Sequence, residues 1–280
     1  MTTPTIIWFR RDLRLSDQAA VAAAAANGPV IPLYILDDET PQHRKMGGAS
    51  RWWLHQSLED LEARCLFLGS RLVLRHGRVA EVLAEIVKST GAREVHALHH
   101  YEPWWRNAER AVVKALDGDA QLVLHHGNYL LPPGTLKTGG GGDYKIYTPF
   151  WKAMREHMPP ALPLAAPGKL EVPDQWPASD ILTDWGLQPT RPDWAADFVK
   201  HWSPGEQGAE DNLDAFVDIA SAYDDGRNLP SEQLVSRLSP HLHFGEISPA
   251  TIWHRIAGDG GVPSSKVEAY CKELVWRDYA

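Results

Sequence analysis

The chain is poor in cysteine: Cys65 and Cys271 are its only two in 280 residues. One pair cannot build a disulfide framework, and no metal-type Cys spacing is present. A reducing compartment, the cytoplasm, is therefore the default expectation. Long apolar runs are missing too. No stretch approaches the roughly 20 residues a membrane helix needs, so no membrane role is expected. The opening MTTPTIIWFRR has no basic segment followed by a long apolar one, which argues against a signal peptide. An excess of positive charge is also absent. The net charge is −8, from 28 basic and 36 acidic residues. Residues 1–130 hold 15 of each sign, so the excess falls in residues 131–280, with 13 basic and 21 acidic. Any nucleic-acid site must be a local patch working against an unfavourable mean field.

Two phosphate-binding signatures are missing as well. A dinucleotide site would place GxGxxG at the first strand-to-helix turn, so that backbone could approach a pyrophosphate. Arg10-Arg11-Asp12-Leu13-Arg14 stands there instead, which excludes a classical NAD or FAD site in that part of the chain. The glycines at 139–142 are not followed by Lys-Ser/Thr and read as a surface loop. No internal repeat is visible.

What is present is ordinary globular composition, 44% apolar and 23% charged, with an unusual 12 tryptophans. Core packing accounts for most of these, and stacking on flat ligands is the alternative. Residues 1–130 alternate between apolar β-rich runs at 5–9, 29–36, 71–74, 94–98 and 121–124 and helical patterns between them. Ser16 is read as an N-cap of a helix from Asp17 to near Asn27. Helices are expected at 50–67, 79–88 and 103–116. Five strands with helical crossovers predict an α/β fold, a five-stranded parallel sheet with helices on both faces.

Residues 131–204 change character. Proline interrupts nearly every window, and only 150–157 has a helical pattern, so this stretch is expected to be a linker over the surface. From residue 205 the pattern is helical. Leu213, Phe216, Val217 and Ala220 share one face. Ser248-Pro249 reads as an N-cap with a proline at the first helical position, and Ser264 opens a last helix. The expected organisation is an α/β domain over 1–130, a linker over 131–204, and an all-α domain over 205–280 that is incomplete.

Three segments carry the chemistry: WFRRDLRLSD at 8–17, SRLSPHLHFGEIS at 236–248 and ELVWRDY at 273–279. Ser236, Arg237 and Ser239 offer hydroxyls, backbone N–H groups and a guanidinium, a set suited to an anion. His241 and His243 invite a metal reading, but no further Cys/His/Asp cluster accompanies them, so no metal site is expected. On the last helix Tyr270, Glu273, Trp276 and Arg277 fall within an arc of about 120°, while Val267, Cys271, Leu274 and Val275 fill another that should face the core. Asp278 falls inside the apolar arc without an evident partner.

In this order and at these distances the three segments closely resemble the photolyase/cryptochrome family, and the similarity runs through the whole chain. The resemblance implies an N-terminal α/β antenna domain and a helical domain holding FAD. It implies light-driven electron transfer from reduced flavin to a pyrimidine dimer flipped out of DNA, base flipping being a strategy photolyases share with other base-modifying enzymes. By resemblance, Val235, Ser236, Arg237, Leu238 and Ser239 wrap the FAD pyrophosphate and ribityl chain. Val235 replaces the family's usual Thr, which removes one hydroxyl. Tyr223 matches a tyrosine near the phosphates, and Tyr270 stands where a Trp beside FAD is common. Arg227 matches an arginine near DNA, and Arg277 a phosphate or flavin-pocket contact.

The resemblance also gives Trp276 the role of stacking on the flipped dimer and Glu273 that of hydrogen-bonding its base edge. Together the two favour a cyclobutane-dimer photolyase. Plant-type light sensors typically lack both, and (6-4) repair enzymes typically have Gln at the Glu273 position. A blue-light receptor of the cryptochrome type is the alternative. An antenna chromophore, a methenyltetrahydrofolate or a deazaflavin, is expected near HHYEPWW at 99–105, with Trp104 and Trp105 either sandwiching a pterin or packing against the linker. The partner the resemblance implies is DNA containing pyrimidine dimers, and the protein is expected to be monomeric. Family members extend well beyond this length, so the 280-residue chain alone is expected to hold FAD weakly and to repair nothing.

Overall fold

The computed structural model describes residues 3–40 and 45–280. Strands and helices alternate as β1 (Thr5–Phe9), α1 (Ala19–Ala26), β2 (Val30–Leu36), α2 (Gly48–Phe67), β3 (Val73–His76), α3 (Val79–Thr90), β4 (Glu94–Leu98), α4 (Pro103–Ala115) and β5 (Gln121–His125). All four strand pairs are parallel, in the order β3-β2-β1-β4-β5. The expected α/β class is observed, and each strand lies within two residues of its expected start. In β1 the two-residue period of a strand divides the core. Ile7 and Phe9 join Leu54, Leu58 and Leu61 of α2, while Ile6 and Trp8 join Leu83 and Ile86 of α3 and Val112 of α4. Among the described residues no helix is long and apolar enough to cross a membrane.

The strand order reverses beside β1, the place where open parallel sheets usually bind ligands. Here Arg10 occupies that ground. Its guanidinium lies 4.2 Å from the Trp8 ring and donates from Nη1 to Glu109 at 2.8 Å, with only 4% of the residue exposed. Burial lowers the Arg10 pKa, and Glu109 opposes that shift.

Ser16 does not cap α1. The cap is Gln18, whose side chain accepts from Ala20 N at 3.0 Å. Asp17 has a φ of 48°, which helical backbone cannot continue. The N–H groups of Leu15 and Ser16 are bound instead by Glu206, both at 2.9 Å. The whole WFRRDLRLSD turn works as a joint with the later residues. Leu13 N donates to Phe244 O at 3.1 Å and Arg14 Nη1 to Gly245 O at 2.9 Å, while Ser248 Oγ donates to Asp17. Gly245 has a φ of 67°, and a Cβ there would lie 2.1 Å from Arg11 O, so only glycine permits this approach.

The rest is helical: α5 (Tyr147–Arg155), α6 (Glu206–Ile219), α7 (Tyr223–Gly226), α8 (Ser239–Phe244), α9 (Pro249–Ala257) and α10 (Glu268–Tyr279). Ser248 caps α9 as expected, accepting from Thr251 N. The first helix of this set starts at Tyr147, three residues before its expected start. Pro149 falls in its first turn, where proline is tolerated, and so does not interrupt it. The proline-rich stretch reaches three cores: Trp151 and Met154 pack with Leu213, Phe216 and Leu274, Leu170, Leu182 and Leu187 join the α2 side of the sheet, and Trp176 packs on the α3–α4 side.

Candidate functional site

The segment after α7, the start of α8 and one face of α10 enclose an open cleft of about 580 Å³. Nine residues singled out from the sequence line it: Tyr223, Val235, Ser236, Arg237, Leu238, Ser239, Tyr270, Glu273 and Arg277. The 235–239 loop is shaped by Arg237, which takes the left-handed conformation with φ 55°. A left-handed residue beside right-handed ones turns successive backbone N–H groups toward one concavity, an anion-binding arrangement. Ser236 Oγ accepts from Tyr270 OH at 2.9 Å and from Leu238 N at 3.3 Å, which ties the loop to α10. Tyr270 is 5% exposed, and burial pushes its phenol pKa up, keeping it protonated as that donor.

Two guanidinium groups expected at this site turn elsewhere. Arg237 lays its guanidinium over the Trp202 ring at 4.2 Å and donates to His201 O at 2.8 Å. Arg277 donates to Asn128 O and lies 5.0 Å from the Tyr129 ring, which joins α10 to the α/β region. In both cases a backbone carbonyl and an aromatic face compete successfully for a long, flexible cation. The cradle therefore consists of backbone and hydroxyl groups.

Glu273 stands at the rim, ion-paired with Arg227. This contact and the Tyr223 side chain raise the Arg227 pKa. Trp276 is not among the cleft-lining residues. It stacks on Tyr147, with ring centroids 3.6 Å apart and planes 7° from parallel. Helical geometry explains the split: at about 100° per residue, Arg277 and Trp276 lie on opposite flanks of Glu273. Asp278, unexplained from the sequence, accepts from Leu131 N at 3.1 Å.

A family model described as DNA photolyase matches residues 5–168. The chain belongs to the DNA photolyase family. It is 42% identical over 282 residues to a deoxyribodipyrimidine photo-lyase of Agrobacterium fabrum, covering 99% of this chain and 58% of that protein. It is 29% identical over 291 residues to Cryptochrome-1 of Arabidopsis thaliana, covering 99% of this chain and 42% of the plant protein. The crystal structure of a bacterial class III photolyase from Agrobacterium tumefaciens superposes with a TM-score of 0.93 at 41% identity, over 100% of this chain and 58% of that one. This photolyase-family chain thus spans less than two thirds of each of these relatives.

In the region expected to hold an antenna, Trp105 packs with Trp176 of the proline-rich stretch against the α3–α4 side of the core, in line with the packing alternative. Trp105 turns back onto Arg10 and His100, with the guanidinium 5.4 Å and the imidazole 5.5 Å from its ring. The two indoles leave α4 about 100° apart, so they do not face one ligand together. The neighbouring Tyr101-Glu102-Pro103 turn instead lines a second cleft of about 450 Å³ with Tyr129, Tyr144, Tyr279 and Asp278. Two carboxylate oxygens there, Glu102 Oε2 and Asp278 Oδ1, are buried without a hydrogen-bond partner. Burial pushes the Asp278 carboxyl pKa up to about 7.

Sequence reasoning passed over Leu242 and weighed His243 only as a metal ligand, yet both line the first cleft from α8. Burial, together with Arg11 and Arg277, lowers His243 to about 4, so it is neutral near pH 7. Its position three residues after Pro240, between apolar Leu242 and Phe244, was the available signal. It also missed Tyr147 and Trp202, the aromatic partners of Trp276 and Arg237, which lie in the proline-rich stretch and carry no motif.

Proposed function

We propose that this chain is the flavin-holding part of an enzyme that repairs cyclobutane pyrimidine dimers in DNA, using light and electron transfer from excited reduced FAD. The observation that carries the reading is the position of Glu273, fixed by Arg227, at the rim of the cleft formed by the 235–239 loop. The residues present fit a flavin dinucleotide. The cleft has the size of a cofactor pocket, and its loop offers backbone N–H groups and the hydroxyls of Ser236 and Ser239 where a pyrophosphate needs donors. Leu242 and Leu274 supply apolar wall, and neutral His243 adds no charge. When bound, FAD supplies the light-absorbing one-electron donor.

The chain's own residues receive the base. A carboxylate only accepts hydrogen bonds, so Glu273 recognises base N–H groups. Arg227 beside it offsets negative charge gathering on a dimer carbonyl, an electrostatic role. Trp276 offers a stacking surface worth roughly 1–3 kcal/mol per base. The second cleft takes an antenna of the folate or deazaflavin type: its tyrosines present flat faces, and the unpartnered oxygens of Glu102 and Asp278 accept from ring N–H or amino groups. The protein acts as a monomer in the cytoplasm.

The test uses the flavin-loaded protein, with whatever further residues its gene encodes. Dimers in an oligonucleotide should disappear under blue light and persist in the dark. Glu273→Gln should slow the loss per photon, and Trp276→Ala should weaken binding of the damaged strand. Similarity to Cryptochrome-1 supports a second reading, a blue-light receptor without repair. Dimers unchanged under strong blue light, with flavin bound, would favour it. The 280-residue chain alone is expected to lose flavin on gel filtration.

A further inference from the structure

We infer that Tyr147 is a positioning residue: its ring is the backing plate that sets the plane of the Trp276 indole and leaves the opposite face for a flipped pyrimidine base. The inference rests on the reading that Trp276 receives that base.

The two rings are nearly face to face, with centroids 3.6 Å apart and planes 7° from parallel. Free aromatic pairs prefer offset or edge-on arrangements, because stacked quadrupoles repel. The surroundings therefore hold this pair in place. Tyr147 OH donates to Lys272 O at 2.8 Å. Tyr279 presses edge-on against both rings, 5.7 Å from Tyr147 and 5.5 Å from Trp276. Phe150 backs Tyr279 at 5.2 Å. Tyr147 is the first residue of α5, and that helix is anchored by buried Trp151 and Met154, so the plate is mounted on a rigid element.

Helix geometry says which side is covered. Lys272, Trp276 and Tyr279, which Tyr147 bonds or packs against, fall within about 60° of one another around the axis. Glu273 lies outside that arc, on the flank toward Arg277 and the first cleft. Tyr147 thus covers the indole from the side away from Glu273. Trp276 remains 42% exposed, which leaves surface to meet a ligand. One aromatic plate, one indole and one carboxylate follow each other around the helix, in the order needed to stack a base and then read its edge.

A loose indole would have to be ordered on binding. Immobilising one such side chain costs enough to weaken affinity roughly two- to tenfold. The experiment measures binding of the flavin-loaded protein to a dimer-bearing oligonucleotide and to its undamaged counterpart. Tyr147→Phe keeps the ring and should bind the damaged strand within about twofold of the parent, given the small net value of one hydrogen bond. Tyr147→Leu should weaken damaged-strand binding roughly two- to tenfold, leave the undamaged strand unaffected, and change the near-ultraviolet circular dichroism of the stacked pair. Placed on Trp276→Ala, Tyr147→Leu should add nothing. Equal loss on both strands, an undiminished loss in the Trp276→Ala background, or no loss at all would overturn the inference. If Tyr147→Leu does not fold, Tyr147→Met takes its place with the same readouts. Should Trp276→Ala alone leave damaged-strand binding intact, the base-receiving reading fails first. A normal Trp276→Ala loss beside an unaffected Tyr147→Leu removes only the role of Tyr147.

Discussion

Glu246→Ala should be among the most destabilising single substitutions in this chain, and its cost can be worked from contacts. Glu246 is fully buried. Its Oε1 accepts from Trp53 Nε1 at 2.8 Å and from Ser57 Oγ, both on α2, and its Oε2 faces His241 Nδ1 on α8. The other His241 nitrogen meets Asn212 of α6 at 3.0 Å. One carboxylate thus joins the α/β region to the helix that brings Ser239, Leu242 and His243 to the first cleft. Alanine strands two polar partners, Trp53 Nε1 and His241 Nδ1, at about 1–3 kcal/mol each before relaxation, while Ser57 Oγ can still donate to Trp53 O at 3.0 Å. Breaking a buried pair costs about 3–5 kcal/mol. A loss of about 4 kcal/mol is expected, a large share of the roughly 5–15 kcal/mol that holds a domain folded. Glu246→Gln should cost only about 1–2 kcal/mol. Its oxygen still accepts from Trp53 and Ser57, and its amide can donate to a His241 protonated on the other nitrogen, provided the Asn212 amide flips. Urea unfolding reads both values from the midpoint shift at unchanged slope. A loss below about 1 kcal/mol for alanine, or equal losses for alanine and glutamine, would mean that this network does not hold the joint.

Three further outcomes follow from the same kind of accounting. The Asp278 carboxyl pKa is raised to about 7 from an ordinary 3.8, so the folded state binds its proton more tightly than the unfolded chain does. Stability contributed at this site is therefore lost as pH rises from about 4 to about 7 and is level above that. Asp278→Asn should be the more stable protein at pH 8, with the gap in urea stability growing by roughly 2–3 kcal/mol between pH 5 and pH 7; a constant gap would show the carboxyl ionised throughout. Ser248→Ala should lose about 1–2 kcal/mol with the α9 cap. Ser248→Asp, a good cap elsewhere, should do worse by thermal melting because it faces the Asp17 carboxylate. Ser236→Ala strands the buried Tyr270 hydroxyl and should cost about 1–3 kcal/mol, and adding Tyr270→Phe should restore most of it; losses that simply add would mean the two groups are not bonded.

The sheet was legible because its signals are local: continuous apolar runs for strands buried on both faces, and Asn27 closing the first helix between them. What resisted reading depends on partners far along the chain. Ser16 looks like a cap until Glu206 arrives to bind its N–H, and Asp278 looks misplaced until Leu131 N meets it. The 235–239 loop that the resemblance singled out lines the cleft, but the resemblance named residues and not directions. Arg237 and Arg277 have arms long enough to leave the site, and they do so for Trp202 and Tyr129. The helix wheel placed Trp276 beside Glu273, yet an arc of about 120° is wide enough to span two neighbourhoods, here a cleft and a tyrosine. Trp104 and Trp105 point apart because consecutive residues on a helix diverge, and Trp105 packs as the second of the two readings had it.

The misses at Ser16 and Arg277 share a cause that bears on function. The 8–17 turn, Glu206, Glu246 and Arg277 each bond across to residues more than a hundred positions away, and together they fix how α8 and α10 stand against the sheet. A loop so tied is preorganised, so binding energy need not be spent on shaping it. The same ties make the cleft sensitive to distant substitutions. A change at Trp53 or Ser57, on the far side of the joint and touching no ligand, should loosen α8 and weaken flavin binding, whereas an equal loss of stability placed in α3 should leave flavin affinity unchanged.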